Sequence, residues 1–421
     1  MHNQNTRRLQ IPALRHPGFI AFVVLNSLSM MADNVEHVIT YWAGFQQFQS
    51  ATLGGFAVIS HWVPFLLLSI PSGLLADHFD PRRLIQIGML MFMACSLGWA
   101  YCLYTHTLTM PIAVILLIVH GLSGVLWSPS QQVLLNDIVG RADIQSAVRL
   151  NASGRYLGML VGPALGSLLI LFVTPTGGLI FNALLYLPLI IWLMRAPFGA
   201  FARKTSPTVP VQRLHGVREV VDTLRYVASQ PELRTMVALS GLAACCVGTA
   251  YQAQMPKFAQ DLGQAHTGIT YAVLLGADAC GALVAGIALE TIAKIKTAAI
   301  NALWLALLWC GALLSFALTR QYYVAVMCLL LAGFCELAFN SMALALIQVK
   351  APAELRGKVI GVALMANSGL RMFSGISVGL FGQLIGVQYA LALSVTLVAL
   401  GLLPLRLFAL GASTATAGAK R

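Results

Sequence analysis

Charged residues are scarce in this sequence. Of its 421 residues, 10% are Asp, Glu, Lys or Arg, whereas 58% are hydrophobic. A soluble domain typically carries about 25% charged residues. A water-soluble fold of this composition would lack the charge to cover its surface, so the sequence predicts a protein whose solvent is lipid.

Motifs of soluble enzymes and of cofactor-binding proteins are also absent. No phosphate-binding Walker loop occurs, so ATP is not expected as the energy source. The eight cysteines include no C-x-x-C pair and lie in or beside apolar stretches. This pattern argues against a disulfide framework or a zinc site and predicts buried, reduced thiols. We expect no enzymatic activity and no cofactor other than a proton gradient.

Acidic residues are fewer than basic ones, 14 against 26, which gives a net charge of +12. The basic residues sit in short runs between long apolar stretches, which is typical of membrane topology rather than of nucleic-acid binding. If the N-terminus is cytoplasmic, all but four of the basic residues fall on the cytoplasmic side. Arg155 and Arg371 lie within spans, and Lys257 and Arg320 lie on the outer side. We therefore expect a multi-pass protein of the cytoplasmic (inner) membrane with both termini in the cytoplasm.

Long apolar runs dominate the sequence. A transmembrane helix needs about 20 mostly apolar residues, and twelve windows qualify. The predicted spans are 18–42, 53–76, 84–104, 111–137, 147–173, 178–196, 236–260, 267–292, 297–318, 322–349, 357–386 and 388–409. The predicted fold class is an all-α membrane protein with twelve transmembrane helices.

A polar stretch, 197–235, divides the spans into two groups of six. It separates an N-terminal six-helix bundle, 1–196, from a C-terminal bundle, 236–421. Within this cytoplasmic linker, 217–228 places its apolar residues on one helical face. That pattern fits an amphipathic helix lying along the membrane surface and fits a solvated linker helix nearly as well.

The two halves repeat some of their polar positions. Asn151-x-x-x-Arg155 in span five recurs as Asn367-x-x-x-Arg371 in span eleven. Two repeated bundles with a binding site between them is a recurring plan of secondary transporters. The repeat therefore favours a transporter.

The loop after span two carries the strongest motif, Gly73-Leu-Leu-Ala-Asp77-His-Phe-Asp80-Pro-Arg82-Arg83. It resembles the signature G-x-L-a-D-r-x-G-R-R of the major facilitator superfamily, and departs from it at His78 and Asp80. With the six-plus-six layout, the resemblance covers nearly the whole chain. It implies two pseudo-symmetric six-helix bundles.

The same resemblance implies a charged gate on the cytoplasmic side. Ion pairs between the halves would bias a two-state equilibrium, although these charges can also serve only to anchor topology. The expected gate residues are Gly73, Asp77, Arg82, Arg83, Asp137 and Arg356.

Span five contains Gly158-x-x-x-Gly162-Pro163-x-x-Gly166. It looks like the Gly-Pro motif of proton antiporters in the superfamily, although small residues at this spacing also mark closely packed membrane helices. The stretch 60–65 adds a resemblance to the subgroup of macrolide and enterobactin exporters. That resemblance implies proton-driven efflux.

Six ionisable residues lie within the predicted spans. Such a residue costs at least ~2.5–3.5 kcal/mol at the bilayer centre, so it usually faces a cavity or a partner. The six are Asp33, Glu36, Arg155, Asp278, Glu336 and Arg371.

Asp33 is expected either to carry the coupled proton or to form a fixed ion pair with Arg155. Asp278 is expected to pair with Arg371, and Glu336 to face the cavity that the superfamily lines with spans one, four, seven and ten. Glu36 is expected either to belong to the proton-coupling cavity or to lie near the outer mouth, in solvent.

Asn26, Asp33 and His37 share one helical stripe of span one, and Tyr251 and Gln252 are expected to offer hydrogen bonds to cargo. These five residues are expected to line the proton-coupling and substrate cavity, together with the ionisable residues Glu36, Arg155, Asp278, Glu336 and Arg371. His37, His61 and His120 also lie in spans. Histidine can titrate near neutral pH, but an isolated intramembrane histidine is more often a hydrogen-bonded packing residue, and both roles stay open. No metal site is expected, because the acidic and histidine residues of span one alone supply too few ligands.

These patterns predict a secondary active transporter that exports small amphipathic organic molecules, of drug or siderophore type, by alternating access in exchange for protons. A nutrient importer or lysophospholipid flippase of the same fold, and a non-transporting membrane sensor, stay open as alternatives. The expected partners are the small-molecule substrate, protons and membrane lipid, without nucleic acid, and the expected state is a monomer.

Overall fold

The computed structural model describes residues 12–198, 216–262, 267–291, 298–352 and 355–418. In this part of the chain, twelve helices are long and apolar enough to cross a membrane, and no strand occurs. The predicted all-α fold with twelve spans is therefore confirmed. The spans are Phe19–Phe48, Ala51–His78, Pro81–Tyr104, Met110–Gly140, Ala142–Phe172, Pro175–Arg195, Pro231–Ala253, Thr267–Thr291, Ala299–Leu318, Tyr322–Lys350, Lys358–Ile385 and Val387–Gly418.

Local sequence signals set the ends of several spans. Asp80 is the N-cap of span three: its side chain accepts a hydrogen bond from the backbone N–H of Arg82 at 3.0 Å, and Pro81 occupies the first helical position. The departure from the loop signature at Asp80 therefore provides a helix cap. Gly140 and Gly386 separate spans four and five and spans eleven and twelve, with φ of 69° and 92°, a conformation that glycine adopts without strain.

Large apolar side chains lie exposed on the surface of the protein. Examples are Phe172, Ile115 and Leu400, whose exposed fractions are 80%, 58% and 57%. Apolar patches of this kind would make a soluble protein aggregate, but acyl chains are as apolar as the side chains themselves. The surface is that of a multi-pass membrane protein.

Spans one to six form one bundle and spans seven to twelve form the other. Because the number of spans is even, span one begins and span twelve ends on the same side of the membrane, which we call the termini side. The loops between spans one and two, three and four, and so on lie on the far side.

A helix, Gly216–Ser229, occupies the linker between the bundles. Val227 and Thr223 are buried, and Val227 belongs to the apolar core of the C-terminal bundle, whereas Leu224 is 41% exposed. One face of this helix therefore packs on the C-terminal bundle. Residues 199–215 of the linker lie outside the described part of the chain.

All eight cysteines are free thiols, as expected, but not all are buried. Their spans turn one face to the outside of the bundle, where a thiol can meet lipid instead of protein. Buried are Cys95, Cys102, Cys310 and Cys335; partly exposed are Cys245, Cys246 and Cys328; Cys280 is exposed. The prediction of burial is therefore wrong for the second and third groups.

The two bundles are joined in the far-side half of the protein. The Tyr271 hydroxyl of span eight donates to the backbone carbonyl of Val38 at 2.8 Å, and its ring stacks on Trp42. Gln254 donates through Nε2 to the carbonyl of Ala51 at 2.7 Å. These contacts hold the far side closed in this structure.

Three glycines complete the far-side junction, and we call them the glycine seam: Gly55 of span two, and Gly375 and Gly379 of span eleven. A Cβ atom at Gly379 would lie 2.2 Å from the Cα atom of Gly55, and one at Gly55 would lie 2.6 Å from the carbonyl oxygen of Gly375. The seam residues of span eleven belong to a π-helical segment, Gly375–Leu380. Backbones of the two bundles touch here because no side chain intervenes.

Candidate functional site

A glycine contact inside the N-terminal bundle brings two histidines together. Gly121 of span four faces the backbone of span two, where an added Cβ atom would lie 2.0 Å from the carbonyl oxygen of Ser60 and 3.1 Å from the Cα atom of His61. Because Gly121 follows His120 directly, this contact places the side chains of His61 and His120 at one level of the bundle.

A glycine contact of the same kind joins spans eight and ten of the C-terminal bundle, which correspond to spans two and four. Gly333 of span ten lies against span eight, where an added Cβ atom would be 1.9 Å from the carbonyl oxygen of Asp278. Glu336 follows Gly333 by one helical turn. The contact therefore brings the carboxyl groups of spans eight and ten to one level.

We expect Gly121→Ala to destabilise the N-terminal bundle. The new methyl group would overlap backbone atoms, which cannot rotate away, and overpacking of this kind typically costs about 1–3 kcal/mol. Thermal unfolding of the purified protein in detergent should show a lower midpoint. Gly311→Ala is the matched control, because nothing lies within 4 Å of its added Cβ atom. Equal midpoints for both variants would contradict this assignment.

Four side chains from three spans form a group that we call the histidine cluster: Asp33 and His37 of span one, His61 of span two and His120 of span four. One nitrogen or oxygen atom of each lies within 4.8 Å of the others. The His37 ring centroid is 4.7 Å from those of both other histidines. The expectation of isolated packing histidines is therefore wrong, and so is the expectation that the ligands are too few for a metal ion.

Glu36 lies directly behind the histidine cluster. His120 Nδ1 is 2.9 Å from Glu36 Oε1, Ser96 donates its hydroxyl to Oε2, and Asn182 donates to the same oxygen at 3.3 Å. Glu36 is 1% exposed. The expectation that Glu36 lies in solvent is wrong because span one continues to Phe48, beyond its predicted end, so Glu36 sits inside the bundle.

Asp278 and Glu336 form a second group, the acid pair, linked through Tyr251 of span seven. The Tyr251 hydroxyl lies 3.1 Å from Asp278 Oδ2 and 3.0 Å from Glu336 Oε2. Gln252 donates to Asp278 Oδ2 at 3.0 Å. Asp278 and Tyr251 are buried, whereas Glu336 is partly exposed. Tyr251 and Gln252, predicted to contact cargo, bind this acidic group in the described structure.

Arg371 does not form the predicted ion pair with Asp278. Its guanidinium donates to the carbonyl and side-chain oxygens of Asn367, each at 3.2 Å, and lies 5.3 Å from the centre of the Trp62 ring. Arg371 nevertheless interacts electrostatically with Glu336. Arg371 lies between two π-helical segments of span eleven, and its guanidinium contacts Trp62 of span two in the other bundle.

Arg155 does not pair directly with Asp33 either. Its guanidinium lies 5.6 Å from the centre of the Trp127 ring, and no ion pair joins it to a carboxylate within the described ranges. Trp127 in turn donates to Asn26, which is fully buried and donates to Gln131 and Asn151. Asn26, predicted in the cavity, therefore ties spans one, four and five together.

A family model described as transmembrane secretion effector, within the major facilitator superfamily, matches residues 11–420. The chain belongs to this family.

Two curated relatives support the assignment to this family. An uncharacterised MFS-type transporter, YfiS, of Bacillus subtilis (strain 168) is 25% identical over 55% of this chain and 52% of its own length. The staphyloferrin A transporter of Staphylococcus aureus (strain NCTC 8325 / PS 47) is 27% identical over 32% of this chain and 34% of its own. The chain thus matches about half of the first relative and a third of the second.

Solved structures of the superfamily share the fold. A bacterial homologue of the human lysosomal transporter Spinster superposes with a TM-score of 0.66 at 12% identity, covering 93% of this chain and 97% of that one. At this identity the likeness concerns the fold. Fold and family are both those of transporters.

The loop signature of the family lies on the termini side. Arg82 pairs with Asp80 at 2.7 Å and donates to the carbonyl of Ala196 at 2.6 Å, both within the N-terminal bundle. Arg83 is exposed and Asp137 is partly buried. The surroundings of Gly73 and the side chains of Asp77 and Arg356 lie outside the described part of the structure, so the predicted gate stays a prediction.

The span-five glycines pack against span one. Added Cβ atoms at Gly158 and Gly162 would lie 2.5 Å from the Ser27 carbonyl oxygen and from Asn34 Cβ, respectively, and Gly166 faces Val38. Pro163 continues the same helix. The motif provides the close packing that was one of its two interpretations, and its meaning for export stays a prediction.

Proposed function

We propose that the chain is a proton-coupled exporter of small amphipathic organic molecules that works by alternating access. The far-side junction supports the alternating-access part of this proposal, because it closes one end of the interface between two separately packed bundles. Export then requires that junction to open while the termini side closes. From the distribution of basic residues, we propose that the termini side is cytoplasmic.

The acid pair is the observation that carries proton coupling. A tyrosine hydroxyl has one hydrogen and can donate to one acceptor at a time. An ionised carboxylate only accepts hydrogen bonds, so two ionised groups cannot both receive a full hydrogen bond from Tyr251. Its short contacts to Asp278 and Glu336 are best satisfied when the pair holds one proton, which the protonated carboxyl donates to the tyrosine oxygen.

Loss of that proton would leave two negative charges close together in a largely buried site, which is costly. Glu336 is partly exposed, so it supplies a route by which water can deliver or remove the proton. A positively charged or strongly polar group of the cargo would offset the same charges. Proton and cargo would then compete for the acid pair, which is the condition for antiport.

Arg371 offers a link between the acid pair and bundle motion. In the far-side-closed state it lies over Trp62 of the opposite bundle while it interacts with Glu336. When the bundles move apart between spans two and eleven, the Arg371 guanidinium loses its contact with the Trp62 ring and changes its position relative to Glu336. A cation–π contact contributes about 0.5–2 kcal/mol, which suffices to bias a two-state equilibrium.

The family description and one relative support the cargo class. The family is described as a secretion effector, and one relative is a staphyloferrin A transporter, so siderophore-type molecules are natural candidates. Trp62 lies against Arg371 between the two bundles, so this surface offers both an apolar ring and a positive charge. Such a surface suits amphipathic molecules.

The proposal is tested by uptake into inverted membrane vesicles. Vesicles that contain the protein are energised with an acidic lumen and offered either a lipophilic cationic dye or a siderophore. We expect accumulation of at least one compound above that of vesicles without the protein, and loss of that accumulation when a protonophore collapses the gradient.

Other results would replace parts of the proposal. Uptake that persists with the protonophore would overturn proton coupling. Uptake confined to right-side-out vesicles would indicate an importer, and movement of labelled lysophospholipid alone would indicate a flippase.

A further inference from the structure

We propose that the histidine cluster binds one divalent transition-metal cation, with Asp33, His37, His61 and His120 as its ligands. Three imidazoles and one carboxylate form a donor set that suits Zn²⁺ and its neighbours Co²⁺ and Ni²⁺. The ligand atoms come within 4.8 Å of one another. Tetrahedral zinc ligands lie about 3.3 Å apart, because the metal–nitrogen distance is about 2.0–2.1 Å, so binding requires the side chains to contract around the ion.

Three polar atoms inside the cluster make no well-aligned hydrogen bond, although two of them, on Asp33 and His120, face each other at 3.0 Å. They are Asp33 Oδ1, His61 Nδ1 and His120 Nε2, each fully shielded from solvent. The three residues are less than 10% exposed. Buried polar atoms normally find partners, and each exception needs an explanation such as an ion. Here the exceptions fall together on three of the four candidate ligands.

The position of His120 between two carboxylates explains why positive charge is needed here. In a neutral imidazole, donation from Nδ1 to Glu36 leaves the lone pair on Nε2. Nε2 lies 3.0 Å from Asp33 Oδ1, which is also an acceptor. Two acceptors at this distance repel each other, so the contact needs either a second proton on the imidazole or a metal cation bound by both atoms. The Glu36–His120 contact is the carboxylate–histidine arrangement that orients many metal ligands.

Charge balance supports the same ion. Asp33 and Glu36 are both buried, and their ion-pair partners in the described part of the chain are histidines, which supply positive charge only when protonated. Burying two carboxylates without counter-charge is costly. A divalent cation bound to Asp33 and three neutral histidines would neutralise both charges.

All four ligands belong to the N-terminal bundle, on spans one, two and four. Rocking of one bundle against the other would leave the site intact, since each bundle moves largely as a rigid body. The cation would therefore stay bound through the cycle and hold these spans together. His37, whose side chain is 18% exposed, provides the most open approach to the site.

The test uses the full-length protein, purified in detergent and stripped with a chelator, and titrates it with Zn²⁺ and with Co²⁺ as a spectroscopic probe. We expect one equivalent of Zn²⁺ to bind and to raise the thermal-unfolding midpoint. Co²⁺ should give the intense visible absorption of a tetrahedral site. Glu36→Gln should weaken Zn²⁺ binding by about 10- to 100-fold, as changes to such supporting carboxylates do.

His61→Ala should remove the tetrahedral Co²⁺ spectrum, whereas His106→Ala, at an exposed position outside the cluster, should leave it unchanged. Absence of stoichiometric binding in the wild-type protein would overturn the proposal, and this result does not depend on any variant folding. Binding that His61→Ala does not weaken would also overturn it. None of these measurements requires transport, so failure of the exporter proposal would leave this one standing.

Discussion

Gly379→Ala is expected to reduce transport by about five- to 150-fold. The added Cβ atom would lie 2.2 Å from Gly55 Cα and 2.9 Å from Gly55 N, both backbone atoms of the opposite bundle. The overlap can be relieved only by moving the bundles apart. Overpacking costs about 1–3 kcal/mol, and a shift of this size in a two-state equilibrium corresponds to about five- to 150-fold.

The variant should remain folded, because the strained contact lies between bundles rather than within one. Gly311→Ala, with open space around its added Cβ atom, is the matched control and should transport at the wild-type rate. Transport is measured in the inverted vesicles described above. The loss should appear mainly in the turnover rate, since the seam contains no group that binds cargo.

A second measurement tests the conformational cause. Ala253 is 4% exposed and lies at the far-side junction. In an Ala253→Cys reporter, a membrane-impermeant maleimide added from the far side should react slowly in the parent protein and rapidly once Gly379→Ala is added. Normal transport by Gly379→Ala, or an unchanged labelling rate, would mean that the transport cycle does not pass through the far-side-closed state.

The spans could be predicted from the sequence because their signal is local and long. Apolar runs of about 20 residues have one stable arrangement in a bilayer, and all twelve predicted windows correspond to helices. The ends were less predictable. Span one continues through 43–48, although this stretch contains the polar Gln46 and Gln47, because far-side packing rather than hydropathy determines where it ends.

The histidine cluster could not be predicted because its members lie on three spans. His61 and His120 each follow the far-side start of their span by ten residues, or about 15 Å, and this matching depth is the signal that sequence alone contains. Depth does not reveal which faces meet. That depends on the contact of Gly121 with Ser60, which requires knowing that spans two and four are neighbours.

The ion pairs predicted for Arg155 and Arg371 failed for a related reason. Opposite charges within the membrane suggest a pair, but both arginines have an aromatic ring within reach, Trp127 and Trp62. A guanidinium can interact favourably with a ring face without giving up all of its hydrogen bonds. Sequence indicated correctly that these residues are partnered inside the protein, but not by which group.

Asp278→Asn is expected to reduce pH-gradient-driven transport by about five- to 150-fold, the range typical of coupling free energies of about 1–3 kcal/mol. Asparagine preserves the shape of the side chain and can still accept a hydrogen bond from Tyr251, but it cannot take up or release a proton. Exchange of labelled for unlabelled cargo without a gradient should continue, because this exchange does not require net proton movement. Loss of driven transport with retained exchange is the signature of uncoupling.

Asp222→Asn is the matched control: it makes the same chemical change on the linker helix, where the side chain is 59% exposed, and it should have no effect on either assay. Asp33→Asn separates the two proposed sites. If Asp33→Asn uncouples transport while Asp278→Asn does not, the proton site lies in the N-terminal bundle and the acid pair has a structural role. If Asp33→Asn instead weakens Zn²⁺ binding and leaves the response to pH intact, the two buried carboxylates have different roles. Asp33 in the N-terminal bundle then binds a resident cation, and Asp278 in the C-terminal bundle carries the coupled proton.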